Sequence, residues 1–136
     1  MNKEQLIQDL ISDEGLRTEP YIDTVGKMTI GVGRNLDDNG ISQAEAMFML
    51  TNDIEMVETE LDARLDWWRG LPDDAQRALC NMTFNIGWPR LSKFEKMLAA
   101  LKDRDFEEAA AQALASKWAT QVGQRAIRIA QLFRYA

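Results

Sequence analysis

At 136 residues the chain can form one compact unit with a real core, and its 46% apolar content places it outside the disordered class. A net charge of −6, no histidine and one cysteine argue against a basic nucleic-acid binder, a His/Cys metal centre and a disulfide-stapled scaffold. The charge is uneven: −2 over residues 1–36, −7 over 37–69 and +3 over 70–136, so the C-terminal part is the natural face for an anionic substrate.

Leu6, Ile7, Leu10 and Ile11 lie at helical spacing, which predicts a helix over 3–14 with Gly15 at its C-terminal cap. This first stretch has no apolar signal core and no 18-residue apolar run follows, so neither a secretory signal nor a membrane anchor is expected. Pro20 and Gly26 punctuate the next stretch. KMTIGVG (27–33) alternates and reads as a strand in a hairpin, where Gly31 and Gly33 suggest a bulge or a close backbone approach. DDNG at 37–40 is a turn signal. Ser42 and Glu45 form a capping box that opens a helix running to about Leu65. Its predicted apolar stripe is Met49, Leu50, Ile54, Val57 and Leu61, and its length of roughly 35 Å suits a strut between two lobes. Trp67 and Trp68 read as core at the lobe junction. Gly70 and Pro72 then break the chain, and Asp73 is expected to cap a helix carrying Leu79, Met82 and Phe84. Cys80 in that helix reads as a buried, inert thiol. GWPR at 87–90 is a loop, Ser92 should cap a helix through Leu101, Asp105 should start an alanine-rich helix through Trp118, and Gly123 precedes a last helix ending near Phe133.

Without histidine, acid/base work at neutral pH falls to carboxylates, lysine, tyrosine or Cys80. Glu14 ends the first helix, and Asp23 and Thr29 follow it in the pattern Glu-x8-Asp-x5-Thr. A helix-terminal Glu facing a loop Asp across a cleft can supply a proton donor and an activated water, yet two acids at this separation also arise by chance. The wider pattern is more specific. The EGL that starts at Glu14 and the T-x-G-x-G that starts at Thr29 are followed in order by ALCNMTFNIG, LSKFEKMLAAL, DFEEAAAQALASKW and GQRAIRIAQLF. Over nearly its whole length the chain thus resembles the phage-type lysozymes (endolysins, muramidases).

The resemblance implies a mostly helical α+β fold: a hairpin lobe over 15–50, a helical lobe from 1–14 plus 66–136, and a connecting helix over 42–65. It implies hydrolysis of the β-1,4 bond between N-acetylmuramic acid and N-acetylglucosamine in bacterial peptidoglycan. Glu14 would be the general acid, which partial burial would help to keep protonated. Asp23 would activate water or stabilise the charge developing on the sugar, and Thr29 would hold that water. Arg125 matches a position where the family keeps an arginine near the catalytic Glu. Asn35, Phe84, Met97 and Gln112 are the candidate sugar contacts in a groove between the lobes. No metal or cofactor, no nucleic acid and no stable membrane insertion are expected, and the chain would act as a monomer. It would be made in the host cytoplasm and reach the wall through a pore formed by a separate lysis protein. A lytic transglycosylase, needing one Glu and no positioned water, is the alternative enzyme. A wall-binding module without turnover is the alternative of another class. Many relatives carry a histidine where this chain has Arg34, whose permanent cation is expected to pair with Asp53 on the strut helix.

Overall fold

The computed structural model describes all residues, Met1–Ala136. Asn2 opens the first helix by accepting the Gln5 N–H at 3.0 Å, which satisfies one of the donors a helix start leaves free. Helix α1 then spans Lys3–Glu14 and stops where the Gly15 N–H returns to the Ile11 carbonyl at 2.9 Å. Strands β1 (Arg17–Ile22), β2 (Met28–Gly31) and β3 (Arg34–Asn35) form an antiparallel sheet with β2 in the centre. Pro20, read as a break, sits inside β1. The strand tolerates it because β1 is an edge and its register slips between Arg17 and Tyr21.

The turn expected at 37–40 is a single helical turn, α2 (Leu36–Asn39), whose Asp38 N–H donates to Asn35 Oδ1 at 3.0 Å. Helix α3 (Gln43–Arg64) starts on the predicted capping box: the Glu45 N–H donates to Ser42 Oγ at 3.1 Å and the Ser42 N–H to Glu45 Oε1 at 2.9 Å. That box also claims Arg34. Its guanidinium reaches Glu45 Oε1 and Oε2, each at 2.8 Å, and donates to the Gly40 carbonyl at 3.2 Å. The partner is therefore Glu45 rather than the expected Asp53, because the capping carboxylate stands at the helix start beside the strand end. The fork-on-fork geometry is the strong form of an arginine–carboxylate pair. The Arg34 hydrogen bond, with those from the Ser42 N–H and hydroxyl, holds the Glu45 carboxyl down at about 2.

The chain forms two compact units, Met1–Phe48 and Met49–Ala136. Of the stripe expected on α3, only Leu61 is buried, with Val57 half-buried. Met47, Phe48, Met49 and Leu50 are consecutive, so no single helical face can cover them, and all four are exposed.

In the second unit a 3-10 turn (Trp68–Gly70) leads to α4 (Asp73–Leu91), α5 (Glu95–Lys102), α6 (Phe106–Leu114), α7 (Lys117–Val122) and α8 (Gln124–Arg134). Leu79, Met82, Leu101, Ile129 and Phe133 are fully buried between α4, α5 and α8, and α6 packs on α5 and α8. Trp68 belongs to this core, its indole N–H donating to Asp62 at 2.7 Å. Three helix starts differ from expectation. Pro72, not Asp73, holds the cap position of α4, and Asp73 and Asp74 lie in its first turn, where the helix dipole favours acids. The Ser92 hydroxyl donates back to the Pro89 carbonyl at 2.8 Å, so it closes α4, and α5 begins after Phe94. The helix begun at Asp105 stops before Trp118 because Ser116 intervenes: its hydroxyl donates to the Ala113 carbonyl at 2.7 Å and accepts the Ala119 N–H at 3.2 Å, so it starts α7. At 87–90 only Gly87 leaves helical geometry, with φ 76 and ψ 163, and α4 resumes after it. No helix is long and apolar enough to cross a membrane. The architecture is α+β and mostly helical, as the resemblance implies.

Candidate active site

Asp23 lies in the loop joining β1 to β2, and its carboxylate shapes that loop. Asp23 Oδ1 accepts the N–H groups of Val25 at 2.9 Å and Lys27 at 2.8 Å, an aspartate turn. The Asp23 N–H donates to the Lys27 carbonyl at 2.9 Å. That carbonyl also accepts the Thr29 hydroxyl at 2.9 Å. Both side chains therefore hang on the peptide groups of Lys27. Asp23 Oδ2 makes no hydrogen bond within the unit. Thr29, 3% exposed, has given its one proton away and keeps its lone pairs for accepting.

Glu14 closes α1 and is exposed, so the partial burial expected of it is absent. Its carboxyl group lies against the backbone of Gly33. Gly33 has φ +70, and a methyl group there would meet Glu14 Oε2 at 3.1 Å, Cδ at 3.3 Å and Cγ at 3.4 Å. The close approach read from T-x-G-x-G thus occurs at Gly33, and the group approaching is the Glu14 carboxyl. Glu14 stands beside the turn that follows β2, and Asp23 in the loop that precedes it. The four residues of β2 lie between the two sites along the chain, with Thr29 among them.

The other predicted residues are placed as follows. Thr29 pairs across the sheet with Tyr21 on β1 and Asn35 on β3, which puts the three side chains on one face. The Asn35 amide is largely committed to α2: its oxygen caps the helix and its nitrogen donates to Asp38 Oδ2 at 2.9 Å. In the second unit Phe84 (46% exposed) and Arg125 line one cavity of about 490 Å³ with Ile54, Val57, Cys80 and Asn81. Arg125 Nε donates to Asn81 Oδ1 at 3.0 Å and Nη2 to the Asn81 carbonyl at 3.4 Å. Burial pushes the Cys80 thiol up to about 11. Met97 and Gln112 share a second cavity of about 350 Å³ with Lys93 and Lys96. Met97 itself is 1% exposed, and the Gln112 amide donates to Glu108 at 2.7 Å, which leaves its oxygen free.

Residues 12–133 match the family model for phage lysozyme. The chain belongs to the phage lysozyme family. Probable T4-type lysozyme 2 of Dictyostelium discoideum is 27% identical over 157 aligned positions, which cover 93% of this chain and 92% of that protein. The pre-baseplate central spike protein Gp5 of Enterobacteria phage T4 is 28% identical over 148 positions. That match covers 88% of this chain but 26% of the spike protein, so the chain spans about a quarter of its length. Membership supports, at family level, a lysozyme-type glycoside hydrolase acting on peptidoglycan, on a lysozyme-like fold.

Three residues of this candidate site escaped the sequence reading or were only half seen. Lys27 contributes through its backbone, which leaves no mark on residue type. Tyr21 stands across from Thr29 with Arg17 stacked 4.4 Å over its ring, and only the register of β1 reveals it. Gly33 was visible as a glycine, but its neighbour was not.

Proposed function

We propose that the chain hydrolyses the β-1,4 bond between N-acetylmuramic acid and N-acetylglucosamine, with inversion at the anomeric carbon. Glu14 donates its proton to the glycosidic oxygen as the carbon–oxygen bond breaks. A water bound between Asp23 Oδ2 and Thr29 Oγ1 donates one hydrogen to each. Its lone pair then faces the sugar, its oxygen joins the anomeric carbon, and its proton passes to Asp23. The observation that carries this reading is the division of labour around Lys27. One oxygen of Asp23 and the only proton of Thr29 are used up in the loop, and what remains are two acceptors able to hold one water. On the same reading the enzyme is made in a bacterial host's cytoplasm, acts as a monomer without metal or cofactor, and reaches the wall through a pore that another protein forms.

The test is lysis of permeabilised Gram-negative cells, with mass spectrometry and NMR of the fragments. Hydrated reducing ends of inverted configuration are expected. Retained configuration, or a 1,6-anhydro sugar, the product of a lytic transglycosylase, overturns the mechanism. Binding to peptidoglycan without fragments overturns the enzyme.

A further inference from the structure

The hydrolytic reading makes the Lys27 peptide groups the frame of the water site, and α2 is what holds that frame. Beyond Asn35, which pairs with Thr29, β3 ends and the chain enters α2. Met28 would be the next residue of the ladder, and on that side it has no strand partner. The Asp37 carboxylate takes the vacant place, its Oδ2 accepting the Met28 N–H at 2.7 Å. Next to it, Asp38 Oδ1 accepts from Lys27 Nζ at 3.1 Å. The sheet edge is thus continued by two side chains from the first turn of a four-residue helix, and they grip the two residues between the Asp23 loop and Thr29.

We propose that Asp37 is a positioning residue for the water-activating pair. It touches neither substrate nor water. It fixes the Lys27–Met28 segment, through which the Lys27 N–H orients Asp23 Oδ1 and the Lys27 carbonyl orients the Thr29 hydroxyl. Freed from Asp37, the segment lets the two acceptors separate, and the water loses its alignment with the anomeric carbon. Misplacement on the scale of 1 Å costs about 100-fold in a positioned reaction. A partial loosening therefore costs about tenfold or more in kcat and leaves saccharide affinity, which other residues carry, largely unchanged.

This inference rests on the hydrolytic reading, and the test separates the two. Turnover of a soluble peptidoglycan fragment is followed at a temperature where circular dichroism shows every variant folded. Asp37→Ala should lower kcat about tenfold or more with KM within about twofold. Asp37→Asn, which keeps an acceptor oxygen in the same place, should recover to within about threefold of the parent. In a Thr29→Ala background, where one of the positioned groups is already gone, Asp37→Ala should cost less than about threefold. A merely structural role would cost the same factor in both backgrounds. Equal factors, an Asp37→Asn as impaired as Asp37→Ala, or an Asp37→Ala within twofold of the parent overturns the inference. Should Asp37→Ala not fold, the same cycle is run with Asp37→Glu, which displaces the acceptor by one methylene. A parent without turnover, or Glu14→Gln with parental turnover, overturns the hydrolytic reading itself.

Discussion

Replacing Gly33 by alanine tests the place of Glu14, the general acid of the proposed mechanism. The new methyl would lie 3.1 Å from Glu14 Oε2, 3.3 Å from Cδ and 3.4 Å from Cγ, all tighter than ordinary contact, and the backbone there has φ +70. The left-handed conformation costs a residue with a Cβ about 1–2 kcal/mol. The Glu14 side chain is exposed and can swing aside, so the collision adds little to that. For a chain of this size such a loss lowers Tm by about 3–10 °C. On the proposed mechanism, however, the swing moves the carboxyl group off the glycosidic oxygen, and displacement on the scale of 1 Å costs about 100-fold in kcat. Gly31 supplies the control: it has the same φ of +70, and a methyl there meets nothing within 4 Å. Gly31→Ala should therefore match Gly33→Ala in Tm and lose far less activity. Both are measured by thermal unfolding and by turbidity clearance below the lower Tm. Equal activity losses in the two variants, or Gly33→Ala within threefold of the parent, would refute the reasoning.

Glu14→Gln keeps the shape of the side chain and cannot donate the proton, so lysis should fall about 10²–10⁴-fold with Tm nearly unchanged, and lysis within tenfold of the parent contradicts the role. The Glu45 carboxyl is held at about 2 against an ordinary 4.5, so its stabilising share is complete above about pH 4.5 and is lost as pH falls through about 2. In urea unfolding between pH 5 and pH 2, Glu45→Gln should lack that part of the slope; identical pH dependence in parent and variant rules this out. Burial sets the Cys80 thiol near 11, so its reaction with a disulfide reagent should be slow at pH 8 and still accelerating above pH 9. A plateau near pH 9 would show an ordinary, accessible thiol.

What the sequence made legible was local. Gly15 and the Ser42–Glu45 box act on groups within four residues, so their effect can be read from order alone. Helices set by a competing side chain were misread, because one hydroxyl can end a helix or begin one: Ser92 closes α4, and Ser116 divides the alanine-rich run. Pro20 reads as punctuation in the sequence, and only the edge position and register slip of β1 show why it sits inside a strand. The partner of Arg34 was the clearest miss. A resemblance carries residue positions across proteins, but this chain has Arg34 where many relatives have histidine. A guanidinium fork beside a capping carboxylate finds the nearer acid.

The Asp-x5-Thr spacing, by contrast, has a physical cause that the loop makes plain. An aspartate that takes the N–H groups two and four residues ahead curls the chain so that the carbonyl of the fourth residue returns to its own N–H. A threonine two residues beyond that carbonyl can donate its hydroxyl to it across one step of the strand. Asp23 and Thr29 are therefore six positions apart because both are tied to residue 27. The bonds that tie Asp23 and Thr29 to residue 27 use only the backbone of residues 25 and 27, while the Lys27 side chain turns to Asp38 instead. The two residues that remain fixed are the ones with an acceptor to spare after the loop is closed, and those acceptors are what a nucleophilic water needs. Lengthening the loop by one residue would leave both side chains in the chain and break their common anchor, so on the proposed mechanism the pair would lose its hold on the water before the fold lost its stability.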